Sequence, residues 1–256
     1  MLPSLEQHEI DTLSEHFRLM STTSSDCRGS ICVANLLESQ TCASYLEEVT
    51  SIIGSPSNVV TASQFSKRLG YLLVVPGLYA LSVFNKGLNL SVENIYIESE
   101  FQDQNWLPRI RLSSLKVTIP EEEKRRQWRE EVLRTIFAKG LSKVWRSISK
   151  DGCISPSILW ENTAIYVYWL YEKRLAKESN PQVKARIYED FHYLIHEAPG
   201  LLFGEMENPL AKYYGRKSTD QEIRIRKTCC YYYQLTPDNH YCATCPKGEQ
   251  SRSLES

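Results

Sequence analysis

The strongest constraint on how this chain can fold lies near its C-terminal end, in TCCYYYQLTPDNHYCATCP, residues 228–246. Half of its eight cysteines stand here: the adjacent pair Cys229 and Cys230, then Cys242 and Cys245 in a C-x2-C. Thiolates are soft ligands that suit zinc or iron–sulfur centres, and four of them complete a tetrahedral site. In a chain without a secretory signal, such a cluster reads first as a metal site. To bring the two pairs together the backbone must reverse, and Pro237-Asp238-Asn239 supplies the turn.

Spacing alone leaves three readings open: an iron–sulfur cluster, zinc, or disulfides and free thiols. A C-x2-C aims both sulfurs at one point, whereas adjacent cysteines on an extended backbone point to opposite faces. Structural zinc sites usually pair two C-x2–4-C elements, and only one is present. A vicinal pair is easier to accommodate when four thiolates are shared between two metal centres, as in a [2Fe–2S] cluster. His240 reads as a solvated turn residue beside them.

These residues resemble the FhuF-like ferric-siderophore reductases, whose C-terminal C-C, gap of about ten residues and C-x2-C hold a [2Fe–2S] cluster. Here the gap is eleven residues, Tyr231 to Tyr241. Arg226 before the pair and Pro246 after the last cysteine are also similar to the family. LWEN at 159–162 and ENPL at 207–210 fit more loosely, and the N-terminal half carries no matching motif. The resemblance implies that Cys229, Cys230, Cys242 and Cys245 bind the cluster, that a ferric siderophore is the substrate, and that Trp160 and Asn162 lie close to the cluster or the substrate cleft.

The rest of the chain has ordinary globular composition, with 42% hydrophobic and 24% charged residues. A net charge of −1 gives no overall field to draw in nucleic acid. The N-terminal MLPSLEQHEIDTL is acidic and lacks a basic n-region and an apolar h-region. The apolar run at 71–84 is too short to span a bilayer and contains a proline and a glycine. A cytoplasmic monomer is therefore expected, in surroundings where clustered thiols bind metal more often than they pair as disulfides.

Periodicity predicts a helix within Ser4–Met20, another from Ile31 to about Val49, and a third from near Thr61 to Pro76 or beyond. LNLSVENIYIES and RIRLSSLKVTIP alternate apolar and polar residues, as antiparallel strands with one buried face do, with a slip at Asn94 that suits a bulge. Glu121–Glu123 read as the acidic first turn of a long helix. Ser155-Pro156 starts a helix that is apolar nearly all round, so its Glu161 and Asn162 must find buried partners. The expected fold is α+β, mostly helical around a small antiparallel sheet, with a C-terminal cysteine-rich loop that binds the cluster. Its expected regions are helical 1–87, strands at 88–120, a helical substrate-side region at 121–227 and the cluster segment at 228–256, or one compact unit overall.

Other candidates carry less. Cys27, Cys32, Cys42 and Cys153 lack metal-ligand spacing and read as incidental thiols. His192 and His196 stand four apart on one helix, but Tyr193 stands where a zinc protease has its glutamate. Arg224, Arg226 and Lys227 can attract an anionic chelate or partner, and 224–233 also reads as an alternating strand, charged on one side and aromatic on the other. No Gly-rich dinucleotide fingerprint occurs, so electrons must come from an external reductase, ferredoxin or thiol donor. The function that follows is single-electron reduction of a ferric siderophore; the competing readings are a zinc-stapled binding domain and an iron–sulfur carrier or sensor.

Overall fold

The computed structural model describes residues 3–20, 29–103, 105–215 and 224–248. Cys27, Arg216 and Lys217 lie outside the described residues. In chain order, α1 (Gln7–Phe17) leads to β1 (Leu19–Met20), and β2 (Ile31–Cys32) leads to α2 (Ser39–Ile53). The long α3 (Asn58–Tyr79) runs on through a π-helical turn, Ala80–Phe84. Six short strands follow: β3 (Gly87–Leu88), β4 (Ile95–Glu98), β5 (Phe101–Gln102), β6 (Asn105–Trp106), β7 (Arg109–Leu112) and β8 (Val117–Thr118). The second helical half comprises α4 (Arg125–Arg134), α5 (Ser142–Asp151), α6 (Pro156–Trp169), α7 (Pro181–His192) and α8 (Pro209–Tyr213).

The expected mostly helical α+β fold is what the chain adopts. Alternation in the two strand segments arises because Ile95, Ile97, Ile110 and Leu112 bury one face of the β4–β7 pair. That pair is antiparallel, and β2 joins β4 antiparallel, but β1 adds a parallel edge to β7, giving the order β1-β7-β4-β2. The slip at Asn94 is a 3-10 turn, Val92–Asn94, rather than a bulge. Its side chain knits the two segments: Nδ2 donates to the Asn89 and Ser114 carbonyls, and Oδ1 accepts from the Ser114 N–H at 2.8 Å.

Two helix starts differ from expectation. Ile31–Cys32 pairs as a strand with Ile97 and Tyr96, and α2 begins only at Ser39, where the Glu38 carboxylate caps the Gln40 and Thr41 N–H groups. Glu121–Glu123 stand outside α4, because Glu123 turns left-handed at φ 62°.

The centre of the molecule is the contact between α3 and α6. Gly70 permits their close approach: a Cβ there would stand 3.2 Å from Thr163 Oγ1. Helical continuity from Asn58 to Phe84 makes this element 27 residues long, long and apolar enough to cross a membrane by length and composition, yet 67% of its apolar window is buried in the fold. A core helix of this kind meets the same criteria as a spanning one.

Candidate functional site

Polar residues of α3 and α6 seat the C-terminal loop. On α3, Ser63 Oγ and Gln64 Nε2 both donate to the Cys230 carbonyl, at 2.8 and 2.6 Å. On α6, the buried Glu161 accepts from the Lys227 and Thr228 N–H groups at 2.6 and 2.7 Å, and from the Thr228 hydroxyl. Asn162, fully buried, donates to the Ser63 carbonyl at 3.0 Å and to Ser66 Oγ at 2.8 Å while accepting from Arg226 Nη2 at 2.6 Å. Arg226 in turn donates from Nε to the Thr228 carbonyl, and its backbone N–H bonds the Thr244 carbonyl at 2.9 Å. That last bond joins the strand of chain before the first cysteine pair to the one inside the second. Buried polar groups need such partners, and here the partners are the loop itself.

The seven described cysteines are all free thiols. Cys230 and Cys242 place their sulfurs 3.7 Å apart. The Cys229 sulfur accepts the Tyr231 N–H at 3.4 Å. Tyr231 makes this approach in the left-handed region, at φ 58°. The Cys242–Cys245 turn is closed by the Cys245 N–H on the Cys242 carbonyl, 2.9 Å. The Cys230 thiol is pulled down, to about 5, first by the Cys242 hydrogen bond and then by the positive charges of Lys67 and Arg226, against the opposing effect of burial. The same partnership pushes Cys242 up, and burial raises Cys229.

This donor set fits a two-metal cluster. Sulfurs about 2.3 Å from a shared tetrahedral metal stand about 3.8 Å apart, close to the Cys230–Cys242 separation of 3.7 Å. Among the described residues no three His, Cys, Asp or Glu side chains converge on one ion, while Cys230 and Cys242 approach each other as a pair. A second fit comes from Arg226: only 4% exposed, it leaves Nη1 buried without a hydrogen-bond partner among the described residues, as a donor awaiting a sulfur acceptor does.

Of the five further residues singled out for the cluster or substrate, Asn162 and Arg226 lie against the cysteine loop, and the other three are engaged by neighbouring side chains and carbonyls. Arg224 is tied to Glu172 at 2.6 Å and lies over the Tyr214 ring at 3.9 Å. Lys227 reaches the Lys212 carbonyl at 2.6 Å. Trp160 donates from Nε1 to Glu205 Oε1 at 3.2 Å. Asn162 and Arg226 brace the loop from inside. The segment around them is not an alternating strand, since Tyr232–Leu235 forms a 3-10 turn. His192 and His196 are exposed, with His192 Nδ1 on Glu197.

A cavity of about 560 Å³ does border the cysteine loop. Gln64, Thr244 and Tyr232 form the wall it shares with the loop; Thr244 Oγ1 is 3.8 Å from Cys242 Sγ. Lys67, over the Tyr232 ring at 5.2 Å, lines it too, with Arg68, Tyr166 and Trp169 beyond. None of Arg224, Arg226, Lys227, Trp160 and Asn162 lines it. Ser63, Gln64 and Lys67 were the residues missed, although polar side chains in the otherwise apolar VVTASQFSKRLGYLL were a visible signal.

Fold and site together define an iron–sulfur protein with a two-iron centre on a helical scaffold. The chain belongs to the FhuF-like ferric iron reductase family: residues 63–203 match the family described as "Ferric iron reductase FhuF-like transporter", and residues 226–247 match "FhuF 2Fe-2S C-terminal domain". Its cofactor is accordingly a [2Fe–2S] cluster. No curated protein matches the chain. Among solved structures, the aerobactin synthetase IucC from a hypervirulent pathotype of Klebsiella pneumoniae is similar at 15% identity and a TM-score of 0.46, over 72% of this chain. The chain spans 37% of that structure's length.

Proposed function

We propose that this protein is a cytoplasmic ferric-siderophore reductase, which gives single electrons to a ferric chelate docked in the cavity beside the cysteine loop. The observation that carries this reading is the shared wall: Thr244 and Tyr232 belong at once to the cysteine loop and to a cavity of about 560 Å³, a volume within the usual range of small-ligand sites. When bound, the [2Fe–2S] cluster supplies low-potential electrons one at a time.

The chain's own residues do the rest. Ser63 and Gln64 fix the Cys230 carbonyl, so the loop presents a constant surface to the cavity. Lys67 and Arg68 hold positive charge on the cavity side, and Tyr71, Tyr166 and Trp169 give it aromatic walls. One electron converts iron(III) to iron(II), which the chelate grips less tightly, and iron(II) leaves. An external reductase, ferredoxin or thiol donor replaces that electron. Reducing surroundings keep cluster thiols from pairing as disulfides, and the cytoplasm supplies them.

The test is a single-turnover experiment. Anaerobically reduced protein, freed of reductant, is mixed with a ferric trihydroxamate and a coloured ferrous trap. The expected result is trapped iron(II) in proportion to protein, with return of the oxidised visible spectrum at the same rate. Retention of the reduced spectrum with no trapped iron(II), across several ferric chelates, would overturn the reading in favour of a carrier or sensor.

A further inference from the structure

We infer that the cavity beside the cysteine loop selects ferric chelates of net negative charge over neutral or cationic ones; this rests on the reductase reading. Three cations line it, Arg18, Lys67 and Arg68, and among the described residues no carboxylate does. Among the described residues none of the three is paired with an acid. Arg68 donates only to main-chain carbonyls, from Nε to Trp106 at 3.1 Å and from Nη1 to Gln64 at 2.9 Å. Lys67 and Arg18 lie over the Tyr232 and Tyr71 rings, at 5.2 and 5.4 Å. Ring faces orient these cations without neutralising them.

Glu15 and Glu100 line a separate cavity of about 310 Å³ that shares Arg18 and Leu107 with this one, and Glu100 is 3.6 Å from Arg109 Nε. Three positive charges with no carboxylate partner among the described residues, one of them, Lys67, also facing the Cys230 thiol, repel a cation and attract an anion. Burial pulls Arg68 below its ordinary value, as it does for a cation lacking a counter-charge. The remaining walls suit flat, conjugated oxygen ligands: Tyr71 meets Tyr166 edge to face at 5.4 Å and Trp169 at 6.2 Å. The Tyr71 and Tyr166 hydroxyls, pushed up by burial, stay protonated and uncharged beside such a ligand.

Gallium(III) chelates test this without redox turnover. Binding of a trianionic tris-catecholate, a neutral cyclic trihydroxamate and a monocationic linear trihydroxamate is measured by calorimetry on the cluster-loaded protein. The trianion is expected to bind about tenfold or more tighter than the neutral complex, and the preference to shrink with added salt. Lys67→Glu and Arg18→Gln are each expected to weaken the trianion about tenfold while leaving the neutral chelate unchanged; an intact visible spectrum confirms that each variant is folded and loaded. Equal affinity for all three chelates, or a preference untouched by both variants, would overturn the charge assignment and leave the reductase reading standing. Failure of all three to bind would remove the docking site itself, and with it both readings.

Discussion

Asn162 accepts a hydrogen bond from the Arg226 guanidinium, Oδ1 to Nη2 at 2.6 Å, where both side chains are sealed from solvent. The same amide donates to Ser63 and Ser66, so one side chain joins α6, α3 and the cysteine loop. Asn162→Ala would leave the guanidinium short of a buried acceptor. A hydrogen bond to a charged group contributes about 1.5–3 kcal/mol, and a loss of that size is expected in denaturant unfolding of the loaded protein. Iron per chain should fall as well, because the loop loses its anchor to both helices.

Arg226 itself should set the cluster potential. Its positive charge is buried near Cys230, whose thiol it pulls down, and Nη1 has no hydrogen-bond partner among the described residues. Reduction adds negative charge to the cluster, so a nearby cation favours the reduced state. Arg226→Gln is expected to lower the potential by on the order of 60 mV, a decade in a one-electron equilibrium, with Arg226→Lys between the two. A redox titration followed by electron paramagnetic resonance measures this directly. An unchanged potential in a loaded Gln variant would reduce Arg226 to a brace.

Much of this arrangement was legible before any coordinates. The cysteine spacing announced a metal centre, the alternation around Ile95–Ile97 and Ile110–Leu112 announced the β4–β7 pair, and Ser155-Pro156 announced α6. The parallel β1 edge was not readable, because its partner lies some ninety residues away and two residues carry no period. Ser63, Gln64 and Lys67 escaped for a related reason. Polar residues within a single helical turn look like a solvated face until a loop from the other end of the chain covers them. The Trp160–Asn162 assignment could have been refined from geometry alone: residues two apart on a helix point about 200° from each other. Both cannot face one site, and Trp160 turns to Glu205.

The cysteine pairing makes its own prediction. Ser at 229, 230, 242 or 245 should each abolish or degrade the cluster, read as loss of iron and inorganic sulfide and of visible absorption. Ser at 32, 42 or 153 should leave all three intact, since Cys32 lies on β2 at the sheet edge, Cys42 is buried in α2 and Cys153 is exposed beyond α5. A colourless Cys153→Ser variant would show that the ligand set is misassigned.

Cys153 offers a further test of how the chain stops α5. The preceding Gly152 has an ordinary φ of −90° and is small for packing: a Cβ there would meet Ala62 Cβ at 2.5 Å. The left-handed position falls instead on Cys153, at φ 50°, with its side chain exposed. An L-residue there costs about 1–2 kcal/mol, whereas glycine adopts it freely at the expense of some unfolded-state entropy. Cys153→Gly should therefore raise stability by about 0.5–1 kcal/mol with the visible spectrum unchanged. Gly152→Ala, one residue away, should destabilise through the clash with α3. Thermal unfolding of the two variants side by side separates backbone strain from packing at this turn.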